Sequence, residues 1–239
     1  MSIVILARHG RTEANATGLL AGRTPGVRLD ERGRDQARAA ADRLAGLPLA
    51  TVVTSPLERC RETARLLVGD RGLRVRPDKR LTECDYGEWT AQKLSELARK
   101  PLWKVVQGQP SAARFPGGES LPEVSARAIA AIRDRDTAVA AEHGDGAVWL
   151  AVSHGDVIKA VLADALGMHL DQFQRIVVDP ASLSVVRYTS GRTFVLTMNS
   201  TSGSLEHLRP APRGHSRGRH RPRADAALGG GTGTGEHTS

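Results

Sequence analysis

The 239-residue sequence predicts an α/β protein, a three-layer α/β/α sandwich around a mainly parallel central sheet. Short β-branched, apolar segments alternate with longer segments whose apolar residues recur at helical spacing, as in strands joined by crossover helices. Residues 147–152 are apolar at every position, which a parallel strand covered on both faces requires. The chain length favours one domain with one substantial core.

The first half of the chain predicts strands and helices in turn. Residues 2–7 are β-branched and apolar, as in a short strand, whereas 31–46 carry apolar residues at helical spacing and close on a glycine. A second strand is expected at 49–54, before a Ser-Pro break. A helix at 57–68 and a third strand at 73–75 should follow.

The second half predicts a less regular stretch and then a return to the alternation. Helical spacing recurs at 94–99, whereas 101–118 is rich in Pro and Gly and is expected to be irregular. The remaining predicted elements are a long helix from about Ser120 to 142, the strand at 147–152, a helix at 154–166, and strands near 174–178, 182–189 and 192–198.

The composition changes after residue 202. Segment 203–239 is rich in Arg, Gly and Pro and poor in apolar residues, so we expect a disordered basic tail beyond a folded domain at 1–202. The tail carries about +3 of the net charge of +8, which leaves a modestly basic domain that suits an anionic substrate. No aromatic residue lies in the tail, so we expect no specific nucleic acid partner.

The sequence also restricts location and cysteine chemistry. No run approaches the roughly 18 apolar residues of a membrane helix, and residues 2–7 predict a strand rather than a secretory signal, so a cytoplasmic protein is expected. Cys60 and Cys84 are too few for a disulfide framework and lack metal-ligand spacing. We expect buried packing residues, with a redox role beside Arg59 and Glu83 as the alternative.

Cationic and imidazole side chains follow the predicted strands at their carboxyl ends. Arg8 and His9 end the first strand. Arg59 lies in the first helical turn after the second strand, and His154 follows the strand at 147–152. Ligands of open α/β sheets bind at this edge, where guanidinium groups pair with phosphate oxygens and helix N-termini offer free N–H groups. The sequence therefore predicts a phosphate pocket.

Each of these residues alone has a structural interpretation, because a single histidine near a strand end is more often a satisfied polar group than a catalyst. The joint pattern is specific. It comprises Arg-His-Gly-x-Thr-x-x-Asn at 8–15, Ser-Pro-Leu-x-Arg-x-x-x-Thr-Ala at 55–64, Leu-x-Glu at 81–83 and Val-Ser-His-Gly at 152–155. From about residue 2 to 199 the chain resembles the histidine phosphatase superfamily, also called the phosphoglycerate mutase-like family.

The resemblance implies a role for each motif residue. His9 would be the nucleophile that becomes phosphohistidine, and Glu83 would be the proton donor. Phosphoryl oxygens would be held by Arg8, Arg59 and His154. The remaining residues implied to bind substrate are Asn15, Ala21, Gly22 and Gly155.

The chemistry of these residue types supports the same function independently of the family resemblance. A neutral imidazole is a capable nucleophile near neutral pH, and a cationic cluster can stabilise the phosphoryl oxygens, so neither a metal nor a cofactor is expected. One carboxyl group, Glu83, can serve as acid and then as base if burial raises its pKa. Carboxylates with a better structural interpretation are Glu13, Glu88 and Glu119, and we assign structural or surface positions to Asp156, His143 and His169.

The segment at 83–89 resembles the Glu-x-x-x-Gly-x-Trp pattern of the family's broad phosphatase branch, and the chain as a whole is similar to an actinobacterial subgroup that carries a phosphomutase label. A phosphatase is favoured. The alternatives are a cofactor-dependent phosphomutase and a non-catalytic phosphate-binding or polyanion-binding module. The expected partner is a small phosphorylated metabolite, such as a sugar phosphate, an inositol phosphate or a phosphoglycerate-like acid, and a homodimer is left open.

The segment at 91–115 should decide which substrate fits. Its large apolar side chains either cap the pocket or pack in the core, namely Leu102, Trp103 and Phe115. Its basic side chains either contact a second anionic group or are surface charges, namely Arg99, Lys100, Lys104 and Arg114.

Overall fold

Helices cover both faces of one six-stranded sheet in the computed structural model, which describes residues 1–201. The strands are β1 (Ile3–Arg8), β2 (Leu49–Thr54), β3 (Val75–Pro77), β4 (Val148–Ser153), β5 (Leu183–Tyr188) and β6 (Thr193–Ser200). They lie in the order β3-β2-β4-β1-β5-β6. The first four strands are mutually parallel where they pair, and β5 and β6 add an antiparallel edge. The predicted fold class is confirmed.

The α-helices of residues 1–201 are α1 (Glu13–Ala16), α2 (Glu31–Leu44), α3 (Glu58–Val68), α4 (Leu94–Leu97), α5 (Pro101–Gly108), α6 (Leu121–His143) and α7 (Gly155–Ala165). Short 3-10 helices occur at Lys79–Leu81, Gly87–Trp89, Pro110–Ala112 and Leu170–Arg175. None of the helices in this part of the chain is both long and apolar enough to cross a membrane.

Alternate residues of the central strands build two separate cores. Trp149 and Ala151 of β4 pack in the core that α6 and α7 cover, whereas Leu150 and Val152 pack under α2 and α3. All four side chains are fully buried. Side chains of a strand alternate between its two faces, so a strand covered on both faces must be apolar throughout.

The parallel register brings three strand ends to one line. Arg8, the last residue of β1, lies opposite Ser153, the last residue of β4. Thr54 at the end of β2 lies opposite Val152. The residues that follow these strands therefore leave the sheet side by side.

Two sequence predictions were wrong. Residues 101–108 form α5 rather than a loop, because Pro101 occupies the first helical turn, where proline is favoured, and Trp103 and Val106 bury one face. The strand expected near 174–178 is absent from the described residues, where Leu170–Arg175 forms a 3-10 helix. Its apolar residues, Phe173, Ile176 and Val178, are buried without pairing with a strand.

The third strand lies at Val75–Pro77, two residues later than expected. The predicted tail at 203–239 lies outside the described residues. Its disorder and the boundary at 202 stay predictions.

The loop after β1 is held against α2 by direct backbone contact. A Cβ atom added to Gly33 would lie 2.0 Å from the carbonyl oxygen of Arg11, and one added to Gly10 would lie 2.3 Å from the carbonyl oxygen of Gly33. Only glycine allows backbones to approach this closely. The position of the residues after β1 thus depends on two glycines.

We expect Gly33→Ala to lower the free energy of unfolding by about 1–3 kcal/mol, as overpacked sites do, and to lower Tm by several degrees. Gly46→Ala is the matched control, because nothing lies within 4 Å of a Cβ atom at that position. Thermal unfolding followed by circular dichroism measures both variants. Equal Tm values for the two would contradict the close approach.

Candidate active site

His9 follows β1 directly and is 3% exposed. Its Nδ1 atom lies 2.7 Å from the carbonyl oxygen of Gly10. Because a carbonyl oxygen only accepts hydrogen bonds, Nδ1 carries the proton and the lone pair lies on Nε2. The backbone N–H of His9 donates to the carbonyl oxygen of Ser153 at 3.0 Å, which ties the residue to the end of β4.

The surroundings of His9 keep its ring neutral. Burial lowers the pKa of His9 well below its usual value, and the positive charges of Arg59 and Arg8 lower it further. The pKa of His154 is lowered well below its usual value by burial and by the same two arginines, with His9 as a further cause. A neutral imidazole with a defined tautomer is the form in which histidine attacks an electrophile.

Arg59 is a buried cation whose guanidinium group makes two side-chain hydrogen bonds through Nη2. Its Nη2 atom donates to the carbonyl oxygen of Gly22 at 2.7 Å and to Nδ1 of His154 at 3.2 Å. Within residues 1–201 its buried Nη1 atom has no hydrogen-bond partner. Buried donors are rarely left unpaired, so this atom indicates a site for an anion.

Arg8 lies beside Arg59 and is fully buried. Its Nη1 atom donates to the carbonyl oxygen of Val178 at 2.7 Å. Burial lowers the pKa of Arg8, while the charges of Glu83, Asp179 and Asp156 raise it. A guanidinium group remains charged even so, and the two arginines give the edge of the sheet a concentrated positive charge.

His154 has partners at both ring nitrogens in this structure. Because Nδ1 accepts from Arg59, Nε2 carries the proton and donates to Oγ of Ser55 at 2.8 Å. The ring lies at 62° to that of His9, with centroids 5.3 Å apart. Nδ1 also lies 3.9 Å from Oε2 of Glu83, but the lowered pKa of His154 means that this is not an ion pair. His154 therefore orients Arg59, and its contact with the phosphoryl oxygens stays a prediction.

The carboxyl group of Glu83 lies close to these residues, with Oε2 3.9 Å from Nδ1 of His154, and Glu83 is 3% exposed. Its Oε1 atom accepts the backbone N–H of Cys84 at 2.9 Å. Burial raises the pKa of Glu83 to about 7, and the negative charge of Asp156 adds to this, while Arg59 and Arg8 oppose it. A carboxyl group with this pKa can donate and accept a proton at neutral pH.

Arg127 of α6 holds the Glu83 segment in place through backbone carbonyl groups. Its Nη1 atom donates to the carbonyl oxygens of Arg80 and Thr82, each at 2.7 Å, and its Nη2 atom donates to that of Glu83 at 3.2 Å. Glu119 pairs with Arg127 at 2.9 Å. Glu119 is thus a structural anchor, in line with the choice of Glu83 over it.

The other predicted substrate-binding residues lie in a turn or in the first turn of a helix. Gly22 is buried and joined to Arg59, and Ala21 precedes it in the same turn. Gly155 is the first residue of α7, directly after His154. Oδ1 of Asn15 caps α1 by accepting from the backbone N–H of Thr12 at 3.1 Å. Their contacts with substrate stay predictions.

Sequence reasoning missed the positioning role of Thr63. Its Oγ1 atom accepts the backbone N–H of Gly10 at 3.1 Å and donates to the carbonyl oxygen of Arg59 at 2.7 Å. Thr63 thus connects the residue after His9 with Arg59. It lies inside the motif at 55–64, so the signal was present in the sequence.

The remaining candidate groups are exposed at the surface or packed in or against the core. The exposed ones are Glu13, Glu88, Arg99, Lys104, Arg114, His143 and His169. Trp103 and Phe115 are buried, and Trp103 stacks on Trp89 with ring centroids 6.3 Å apart. They pack in the core, while Leu102 is half-buried against it. Lys100 is half-buried and lies over the Trp89 ring at 5.8 Å.

Cys60 and Cys84 are buried free thiols. Burial raises the pKa of Cys60 to about 12 and that of Cys84 well above its usual value. Thiols that stay protonated are poor nucleophiles, which favours the packing interpretation over a redox role. Among residues 1–201, no group of three or more His, Cys, Asp or Glu side chains is arranged to hold a metal ion.

The sequence model of the histidine phosphatase superfamily, branch 1, matches residues 4–201. The chain belongs to this family. It is 31% identical over 201 residues to phosphoserine phosphatase 1 of Hydrogenobacter thermophilus, covering 83% of the chain and 92% of the relative. It is also 31% identical over 209 residues to a probable phosphoglycerate mutase GpmB of Cronobacter sakazakii, covering 86% and 94%.

Solved structures agree with this assignment. Bacillus stearothermophilus YhfR has a TM-score of 0.77 and 26% identity, covering 84% of this chain and 98% of that protein. A mycobacterial glucosyl-3-phosphoglycerate phosphatase in complex with VO3 has a TM-score of 0.75 and 28% identity, covering 83% and 98%. The predicted family and phosphatase class are therefore confirmed.

Proposed function

We propose that this histidine phosphatase hydrolyses a small phosphorylated metabolite through a phosphohistidine intermediate on His9. The proposal rests on the arrangement of His9, the two buried arginines and Glu83. A neutral histidine with its lone pair on Nε2 lies beside two buried arginines, one of which has a donor without a partner among residues 1–201. A carboxyl group with a pKa of about 7 completes the set. A nucleophile, an oxyanion-binding group and a proton carrier are what phosphoryl transfer to histidine requires.

In the first step, Nε2 of His9 attacks phosphorus and the bond from phosphorus to the leaving oxygen breaks. Glu83 in its protonated form gives its proton to that oxygen, which leaves as an alcohol. Arg59 and Arg8 balance the charge on the three phosphoryl oxygens, which is the main electrostatic requirement of phosphoryl transfer. His154 keeps Arg59 oriented through its Nδ1 atom.

In the second step, water attacks the phosphohistidine. Glu83, now ionised, takes a proton from the water as the new oxygen–phosphorus bond forms and the nitrogen–phosphorus bond breaks. Inorganic phosphate leaves, His9 returns to its neutral form and Glu83 is protonated again. One carboxyl group thus serves both steps, and its pKa near the working pH makes this possible.

A phosphomutase is the second candidate, because a probable phosphoglycerate mutase is among the relatives. It would use the same first step and pass the phosphoryl group to a second hydroxyl group instead of water. The phosphatase is supported by the Glu-x-x-x-Gly-x-Trp segment at 83–89 and by the phosphatases among the similar proteins. Those phosphatases are named for phosphoserine and glucosyl-3-phosphoglycerate, so we propose a phosphorylated three-carbon acid or a derivative of one as the substrate class.

The homodimer, the cytoplasmic location, the lack of a nucleic acid partner and the lack of a cofactor stay predictions from the sequence. A non-catalytic binding module is disfavoured. A module that only binds phosphate gains nothing from a carboxyl group whose pKa is raised to about 7.

A panel of phosphorylated metabolites, assayed in parallel for free phosphate and for transferred phosphate, tests the proposal. Phosphoserine, 3-phosphoglycerate, sugar phosphates and inositol phosphates should be included. We expect free phosphate as the product, no loss of rate with EDTA, and no turnover by His9→Ala. Transfer between two metabolites without release of phosphate would favour the mutase, and full activity of His9→Ala would contradict the mechanism.

Glu83→Gln tests the proton donor. We expect kcat/KM, which reports the first step alone, to fall by about 10²-fold or more with phenyl phosphate, because its leaving group needs a proton. With p-nitrophenyl phosphate kcat/KM should fall much less, because its leaving anion is stable. Glu88→Gln, an exposed change of the same type nearby, is the control and should match the wild type. Equal losses of rate with the two esters would rule out Glu83 as the acid.

A further inference from the structure

The first turn of α7 carries a buried pair of opposite charges next to the catalytic groups. Asp156 is fully buried and Lys159 is 3% exposed. Nζ of Lys159 lies 3.7 Å from Oδ1 of Asp156 and donates to Oε1 of Gln174 at 3.1 Å. Charges removed from water are costly unless they are paired, and Lys159 is the cationic partner of Asp156.

Tyr86 joins this pair to the segment that contains Glu83. Its hydroxyl group donates to Oδ2 of Asp156 at 2.7 Å. The ring is fully buried and packs edge-on against Phe115, with centroids 5.0 Å apart. Because Tyr86 lies three residues after Glu83, this hydrogen bond connects the Glu83 segment to the helix that begins after His154.

Glu83 is surrounded by charges of both signs. Arg8 from β1, Arg59 from α3 and Lys159 from α7 favour its ionised form, and Asp156 from α7 opposes them. His154 lies close by but is held neutral, and Cys84 keeps its proton. Arg127 and Arg23 contact the carbonyl oxygen of the residue.

Burial and the negative charge of Asp156 raise the pKa of Glu83. The two arginines proposed to bind phosphate act in the opposite direction and favour the ionised form. An ionised Glu83 has no proton for the leaving group. The negative charge of Asp156 acts against that of the two arginines and so favours the protonated acid.

We propose that Asp156 is a positioning residue, whose carboxylate accepts the hydrogen bond from Tyr86, holds the Glu83 segment against α7 and places a negative charge in the surroundings of the acid. The inference rests on the proposed function, in which Glu83 is the acid. It assigns a task to a residue that the sequence pattern left as structural.

The pH dependence of kcat/KM for phenyl phosphate tests the inference. The wild-type rate should fall as pH rises through the pKa of Glu83, near 7, because only the protonated form gives up a proton. In Asp156→Asn this fall should move about one pH unit lower, since a nearby negative charge has been removed. Asp156→Glu keeps the charge and should restore much of the wild-type profile.

Asp164→Asn is the matched control. Asp164 lies on the same helix and pairs with Arg133 at the surface, so removing its charge should leave the profile in place. The kcat/KM for p-nitrophenyl phosphate provides a second control, because the first step with this ester depends little on Glu83. A purely structural role would lower the rates of both esters without moving the profile.

Asp156→Asn leaves Lys159 without its counterion and so endangers folding. The double variant Asp156→Asn/Lys159→Met removes both charges, and its profile should also move to lower pH. The inference would be overturned if a folded variant without the charge at position 156 showed the same pH dependence of kcat/KM as the wild type. Glu83→Gln separates this inference from the proposed function. If the fall of kcat/KM at high pH disappears in Glu83→Gln, Glu83 is the titrating acid and the proposed function stands. If the fall persists in that variant, the assignment of Glu83 as the acid is wrong, whatever the role of Asp156.

Discussion

The parallel pairing of β1 with β4 is the constraint on which the site depends. It sets Arg8 opposite Ser153, so that His9 and His154 leave the sheet together and their rings lie 5.3 Å apart. Both strands are buried on both faces, which fixes their register, because a slip of one residue would exchange the two cores. The catalytic geometry is therefore a consequence of core packing.

That convergence creates an electrostatic conflict. Two buried guanidinium groups favour binding of a phosphoryl group and keep His9 neutral, and both effects help the attack on phosphorus. The same charges favour loss of the proton from Glu83. Burial and the carboxylate of Asp156 act in the opposite direction. The site can hold a neutral nucleophile and a protonated acid together only because these effects are balanced.

The strand ends could be predicted from the sequence because alternation of apolar segments is local and the motifs directly follow the strands. The residues that hold the site in place could not be predicted in this way. Arg127 is separated from Glu83 by 44 residues, and no local pattern on a long helix marks which arginine turns towards a distant loop. Asp156 looked like an ordinary residue of the first helical turn, and its burial against Tyr86 appears only in three dimensions. Helix α5 was missed because Pro101 also fits a loop.

The most direct test of the central claim is to trap the phosphoenzyme. The protein is mixed with p-nitrophenyl phosphate, quenched in alkali within milliseconds, digested and examined by mass spectrometry, with the isomer assigned by 31P NMR. The account predicts a phosphoryl group on Nε2 of His9, because Nδ1 is occupied by its hydrogen bond to Gly10. A phosphoryl group on another residue, or on Nδ1, or turnover without any phosphoenzyme, would contradict it.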